Sequence, residues 1–447
     1  MKGTKLLVPG SAVALLFLSA TPALAQVDPG VQGGTPRAGG PIAGLVGNEE
    51  EFFDVGLDDF AEAEGVGDGL GPRFNLDSCG GCHIQPAIGG TSPTVNPEVA
   101  IATAFGARNT VPSFITLNGP VREARFKRTP GGQPDGGVHA LFVVSQRNDG
   151  TGNASGCNIT QDNFAQAVQQ NNVIFRIPTP VFGAGLMESI PDSELIRNLT
   201  EGQGTRSALG ITGRLNHNGN DGRVTRFGWK AQNMSLEIFS GEAYNVEMGI
   251  TNDNFPVERE EAQSCQFATV PNDVVVTEGA TGLDTISAIT KFSFFMRFLA
   301  PPTQNLNSPG GNASISEGFN AFVNIGCTHC HTQQLRTGNA TVVALANKNA
   351  RLFSDIALHN MGPGLADEVA QGEAAGDEFR TAPLWGLGQR VFFLHDGRTN
   401  NLLTAIQAHA SNGNGTFQAS EANAIINRFN ALSTTAKQNM LNFLRSL

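Results

Sequence analysis

The stretches DSCGGCHIQP (residues 77–86) and GCTHCHTQQ (residues 326–334) each place two cysteines three apart with a histidine directly after the second. From Cys79 to Cys327 is 248 residues, so one chain carries the same short unit twice. The spacing has a chemical reason. Two thiols three apart add to the two vinyl groups of one haem, and the next histidine then lies under the iron as its fifth ligand. The pair of motifs therefore reads as two covalently bound haem c groups. Cys79, Cys82, Cys327 and Cys330 are the attachment points, and His83 and His331 the proximal ligands. Zinc would draw both pairs into one tetrahedral site and leave the two trailing histidines unexplained. A thiol-redox pair opens a helix after a strand, which neither copy does convincingly.

The rest of the chain supplies a compartment to match. Lys2 and Lys5 precede the apolar run LLVPGSAVALLFLS, and ALA at 23–25 offers small residues for cleavage, which together read as a secretory signal over residues 1–25. The run is too short to span a bilayer, and no later segment is long and apolar enough to do so; KFSFFMRFLA from Lys291 is short and charged. Gln26, not cysteine, follows the cut, which speaks against a lipid anchor. A periplasmic protein is expected, since c-type haem is attached outside the cytoplasm. Removing Lys2 and Lys5 takes the formal charge from −11 to −13, a balance that argues against nucleic acid as a partner and leaves soluble partners open. Cys157 and Cys265 remain. In an oxidising compartment they are most simply a disulfide closing a loop of about a hundred residues, worth about 4–5 kcal/mol by chain entropy; two free thiols are the alternative.

The mature chain of about 420 residues is long enough for two or three domains. Residues 49–62 predict a short helix with Phe53, Leu57 and Phe60 on one face. VHALFVVSQR (138–147), NNVIFRIPTPVFG (171–183) and PNDVVVTEG (271–279) read as strands, and PDSELIRNLT (191–200) as a helix capped near Asp192 or Ser193. Ser314 and Glu317 have capping-box spacing ahead of a helix that runs into the second motif. TTAKQNMLNFLRSL at the end carries a stripe of Met440, Phe443, Leu444 and Leu447, which in a cytochrome c fold packs across that helix. The fold class expected is mainly α, with two cytochrome c-like haem domains. The N-terminal one (26–300) is enlarged by loops and short β-strands; a linker (301–314) leads to the C-terminal one (315–447).

Seven stretches, in order along the mature chain, carry a resemblance: LGPRFNLDSCGGCHIQPAIGGTSP, DGGVHALFV, FGAGLMESIPDSEL, RFGWKAQNMSLE, EAYNVEMGIT, HNMGPGLAD and EFRTAPLWGLGQRVFFLHDGRTNNLLTAIQAHA. With them the sequence resembles the di-haem cytochrome c peroxidase superfamily, and more closely its branch of di-haem oxidoreductases sometimes labelled thiol oxidoreductases. The resemblance implies two inequivalent haems. The C-terminal one is six-coordinate and takes in electrons; the N-terminal one has, or can open, a position for peroxide.

The resemblance also assigns residues. Glu247 in NVEMG matches the superfamily's active-site glutamate, a general acid/base. Trp229 in RFGWKA falls near the tryptophan that passes electrons between haems, where the plain alternative is a core residue. His409 shares a helical face with Leu402, Leu403 and Ile406 and occupies the region that presents the sixth ligand of the C-terminal haem, usually methionine; Met361, with His359 behind it, is the alternative ligand. His139 is a weaker candidate as a distal ligand of the N-terminal haem, with a strand-edge histidine as the bland reading. His395 in FFLHDGR is a structural or propionate-contacting candidate, and His217 and His329 are expected to be peripheral. GQRVF replaces the superfamily's Thr-x-Pro of an inter-domain calcium site, so calcium has no support in the residues.

The leading expectation is a periplasmic, peroxidase-like di-haem oxidoreductase that reduces peroxide or uses it to oxidise a substrate. Its partners would be hydrogen peroxide and a small soluble electron donor or acceptor of cytochrome or cupredoxin type. A di-haem electron carrier with both irons six-coordinate, and a thiol or sulfur-compound oxidoreductase, are the alternatives.

Overall fold

The computed structural model describes residues 26–104, 109–144, 154–258 and 262–447, so the leader expected over 1–25 lies outside the described residues. The elements that shape the sites are α1 (Glu49–Ala61), β1 (Arg73–Phe74), α2 (Cys79–Cys82), α3 (Glu98–Ala104), β2 (Glu123–Phe126), β3 (Phe142–Val143), β4 (Val173–Arg176), α4 (Asp192–Thr200), α5 (Leu236–Met248), α6 (Ala288–Phe298), α7 (Gly311–Ile325), β5 (Leu358–Asn360), β6 (Glu378–Arg380), α8 (Leu402–Gln407) and α9 (Thr434–Ser446). Helices predominate, and each sheet among the described residues is a single antiparallel pair of short strands.

Glu49, Glu50 and Glu51 open α1 where the helix dipole is positive, and Phe53 and Phe60 bury its apolar face, as the sequence predicts. That face packs on α6 through four phenylalanine contacts, among them Phe52–Phe294 at 4.6 Å and Phe60–Phe295 at 4.9 Å between ring centroids. The approach is close because Gly56 has no side chain; a Cβ there would stand 2.3 Å from Lys291 O. The same device serves the other end of the chain. α9 crosses α7 over Gly318, where a Cβ would stand 1.9 Å from Asn439 O, and Phe443 lies against Phe319 and Phe322.

Two main apolar cores result. The larger runs from Leu45 to Leu299 and also takes in Leu335, Leu345, Leu352 and Ile356 from beyond the second motif. The smaller joins α7 and α9 with Phe393, Leu402 and Phe429. Arg445 of α9 is buried, and its guanidinium grips Asp28 through two bonds of 2.7 and 2.8 Å. Asp28 also accepts the Leu402 N–H at 2.6 Å, so the start of the described chain is pinned to both α8 and α9.

Several sequence expectations need correction. In VHALFVVSQR only Phe142–Val143 pair as a strand, with β1; its residues 145–147 lie outside the described ones. β4 lies within NNVIFRIPTPVFG and stops before Pro178, but its partner is β2, whose polar sequence gave no strand signal. PNDVVVTEG is not a strand. Its Asp273 carboxylate accepts the Ala288 and Ile289 N–H groups at the start of α6, leaving Val275 and Val276 exposed. α4 is capped at Pro191 without a side-chain bond, because Asp192 turns to Arg226 instead. α7 begins at Gly311, so Ser314 lies inside it and bonds Asn439 at 2.7 Å across to α9, not its own helix end.

Candidate functional site

The first motif forms one turn, α2, packed against the end of α1: Ser78 Oγ donates to Ala61 O at 3.2 Å. His83 Nδ1 lies 3.0 Å from Gly90 O. A carbonyl oxygen only accepts, so Nδ1 carries the proton and Nε2 keeps the lone pair a metal needs. Burial pushes His83 down to about 4, which keeps the ring neutral. Cys79, Cys82 and His83 open on a cavity of 1160 Å³, counting the part continuous with solvent. Phe60, Phe292 and Met296 give it an apolar wall from α1 and α6.

Glu247 reaches this cavity from the last turn of α5. The helix stops at Gly249 (φ 77°), whose missing Cβ would lie 2.7 Å from Arg73 O, and the chain is tied down by Asn75 N–H to Glu247 O (2.6 Å) and Gly71 N–H to Met248 O (2.8 Å). The Asn75 amide donates to Glu247 Oε2, while its own oxygen takes the Leu141 N–H at 2.7 Å. Glu123 of β2 lines the same cavity and is ion-paired to Arg125. Burial, and then the neighbouring Glu123, push the Glu247 carboxyl well above the usual carboxylate range. Burial acts upward on Glu123 too, but Arg125 and Arg176 together with its hydrogen bonding outweigh it and hold Glu123 below the usual carboxylate range. Glu98, 1% exposed, also lines the cavity; burial pushes it up to about 8, and its Oε1 has no hydrogen-bond partner.

The second motif follows α7 through Gly326 (φ 98°). His331 repeats the first arrangement: Nδ1 donates to Phe353 O at 3.0 Å, and burial pushes the ring down to about 4. The surrounding cavity, 1430 Å³ with its open part, also receives His409 just beyond α8. His409 Nδ1 donates to Ala405 O at 2.8 Å, so its Nε2 is likewise free, and burial lowers its pKa. Met361 lines the same cavity. His359 does too, but both its nitrogens are engaged, by Asp355 at 3.0 Å and Glu421 at 2.8 Å. His395 stacks on Phe379 at 4.3 Å, and its ring makes no hydrogen bond among the described residues.

Trp229 stands in the wall of both cavities, its Nε1–H held by Ile177 O at 2.9 Å. His139 is brought to neither. It stacks on Phe126 at 3.7 Å with Nδ1 on Asp162 and Nε2 on Asp135, so a distal position for it is not what the fold provides. Cys157 and Cys265 form a disulfide. His217 pairs with Glu373 at the surface, and His329 flanks its own motif.

Sequence reasoning missed Glu123, Arg125 and Asn75 at the first cavity and Arg380 and Arg390 at the second. Arg390 is the informative one. It is buried, it faces the second cavity, and its guanidinium has no hydrogen bond or ion pair among the described residues. A buried cation without a counter-charge is costly, and a haem carboxylate would supply one. With two thiols and a neutral imidazole on one wall, apolar surroundings and this orphaned arginine, the residues present fit haem. Arg390 belongs to the GQRVF stretch where the calcium pattern is lost.

Residues 124–447 match the family described as "Di-haem oxidoreductase, putative peroxidase"; the first motif lies ahead of the matched span. No curated protein matches the sequence. Among 14 matching solved chains, a MauG-like protein associated with microbial copper homeostasis is 16% identical over 60% of this chain and 90% of that one, with a TM-score of 0.28. A chain of Kuenenia stuttgartiensis hydrazine synthase is 13% identical over 37% of this chain, with a TM-score of 0.23, and the match spans 56% of its length.

Proposed function

The chain belongs to the di-haem oxidoreductase family, and we propose that it is an exported, periplasmic member carrying two covalent haem c groups with different tasks. Cys79 and Cys82 attach the first, Cys327 and Cys330 the second, and cytochrome c-like units over 26–300 and 315–447 hold them. What carries this proposal is the difference between the linings of the two cavities. The second cavity offers His409, with Nε2 free, as a further iron ligand; the first, among the described residues, has no histidine besides His83 and offers the carboxyls of Glu247 and Glu123.

When bound at the first site, haem would supply the redox chemistry on peroxide. The chain's own part is to orient, exclude water and move protons. His83 and His331 are held in one tautomer by Gly90 O and Phe353 O, which leaves Nε2 of each with the lone pair that would bind an iron. The wall of Phe60, Phe292 and Met296 keeps water out. Glu247, held protonated by burial and by Glu123, donates to an oxygen atom in the cavity and takes the proton back. Trp229 bridges the two cavities as the electron relay. Arg390 would hold a carboxylate of a haem bound at the second site. A small soluble cytochrome or cupredoxin exchanges electrons with the protein.

The carrier alternative would need a sixth ligand at the first site, and Met248, whose sulfur is 4.0 Å from Cys79 Sγ, lines that cavity. Electron paramagnetic resonance of the oxidised and half-reduced protein separates the two. A high-spin signal that peroxide consumes is expected; two low-spin signals indifferent to peroxide in both states would make the protein a carrier.

A further inference from the structure

Where the end of α4 meets the second motif there is a further cavity, 800 Å³ with its open part, that the two haem sites leave unused. Arg206, from the short helix Gln203–Ala208, lines it and is only 4% exposed. Its Nη2 caps α4 by donating to Asn198 O at 3.2 Å and to Leu199 O, carbonyls that a helix end leaves without partners. Capping uses that one nitrogen. Nε is enclosed without an acceptor, Nη1 has none either, and no carboxylate pairs with this guanidinium among the described residues.

Asn198 repeats the shortage of acceptors. Its Oδ1 accepts from Thr332 Oγ1 at 3.2 Å, which sets the orientation of the amide, and its Nδ2 is enclosed with no acceptor. Thr328 and His329, which stand between Cys327 and Cys330, line the same cavity. Among the described residues Glu201 is the one carboxylate that does, and it is exposed and ion-paired to Arg197. A buried cation and an amide, both short of acceptors, are thus collected beside a hydroxyl and an imidazole. Charge-assisted hydrogen bonds from an anion would meet that need.

We infer that this cavity binds a small oxyanion, a carboxylate or a phosphate, at Arg206, and that the bound charge lowers the reduction potential of the haem at the second motif. The second half rests on the haem attachment proposed above. The chain's formal charge of −11 repels an acidic protein, so the occupant is a free small anion and not a partner's side chain. A negative charge beside Thr328 and His329 favours ferric over ferrous haem, because the ferric state carries one more positive charge. A guanidinium that only capped α4 would affect stability and nothing else.

The test uses the full-length, haem-loaded protein at pH 7 and constant ionic strength. Titration calorimetry with acetate, and separately with inorganic phosphate, is expected to show one saturable site per chain for at least one of them; which one saturates tells a planar from a tetrahedral anion. Arg206→Gln is expected to lose the site. Glu201→Gln, an exposed change that leaves the cap intact, is expected to tighten it about 2–5-fold by removing a like charge. No saturable binding to the parent, binding that persists unchanged in Arg206→Gln, or an affinity that fails to tighten in Glu201→Gln overturns the site. Potentiometric titration followed through each haem's spectrum reads the coupling. The second haem's midpoint is expected to fall at saturating anion while the first stays in place, and a second midpoint that does not move overturns the coupling. A protein found without haem at Cys327 and Cys330, with the calorimetric pattern intact, would sink the two-haem proposal and leave the anion site standing.

Discussion

The cavity that Cys79 and Cys82 share with His83 is lined by the carboxyls of Glu98, Glu123, Glu242 and Glu247 and, among the described residues, by no second histidine; the cavity that Cys327 and Cys330 share with His331 is lined by His359, His395 and His409. The near walls are built alike. Each proximal histidine gives its Nδ1 proton to a main-chain carbonyl 3.0 Å away, and each is buried enough to stay neutral. The repeated motif therefore explains what the two sites share, and the rest of each lining explains what separates them. The same criterion sorts the second cavity. His409 has the carbonyl-anchored ring of a ligand, whereas His359, pinned at both nitrogens by carboxylates, does not.

The largest expected effect tests the lining of the first site. Glu247→Gln should slow peroxide consumption by about 10²–10⁴-fold, the usual cost of losing a general acid/base, with both haems attached and the second site's spectrum unchanged. Steady-state consumption measured beside the visible spectrum decides it, and an unchanged rate would remove Glu247 from the chemistry.

A matched pair of core substitutions asks whether the two sites also differ as folding units. Gly56→Ala drives a methyl into Lys291 O beside the first cavity, and Gly318→Ala drives one into Asn439 O beside the second. Each should cost about 1–3 kcal/mol, as overpacking usually does. Thermal melts followed through each haem's spectrum should show the affected site lost first. Simultaneous loss would mean one cooperative unit, which the recruitment of Leu335 to Ile356 into the larger core makes a real possibility to exclude.

The smallest effect concerns acid. Burial acts to raise Asp28, but Arg445 and the Leu402 and Gly30 N–H groups outweigh it, and its folded pKa lies below 3.8. A group depressed on folding contributes stability above its unfolded pKa and loses it as pH falls through the folded value. Asp28→Asn should therefore melt lower than the parent at pH 7, with the gap closing below about pH 4. A gap that stays constant with pH would show that the clamp's charge adds nothing.

The sequence made the two C-x-x-C-H motifs legible because they are local chemistry, and the helices α1, α7 and α9 because their apolar residues recur at helical spacing. β2 was hidden for the opposite reason. In Glu123-Ala124-Arg125-Phe126 the alternation is present, but the face carrying Glu123 and Arg125 is turned to an enclosed cavity, so charges stand where a buried strand is expected to be apolar. The residues that spoil the strand signal are the ones that furnish the first site. His139 failed differently: nothing local announces that Asp135 and Asp162 will take both its nitrogens. Arg390 stood in a stretch read only for what it lacked.

Asp28 and Arg445 are separated by 417 residues, and Asp28 also terminates α8, the helix whose end carries His409. A chain synthesised from its N-terminus makes Asp28 early and both its partners last. The clasp can thus close only after residue 445 has been made, and the arm presenting His409 gains that support no earlier. The support of the second cavity therefore rests on a contact between residues 417 apart in sequence, which is costly in chain entropy until the rest of the fold has brought them together.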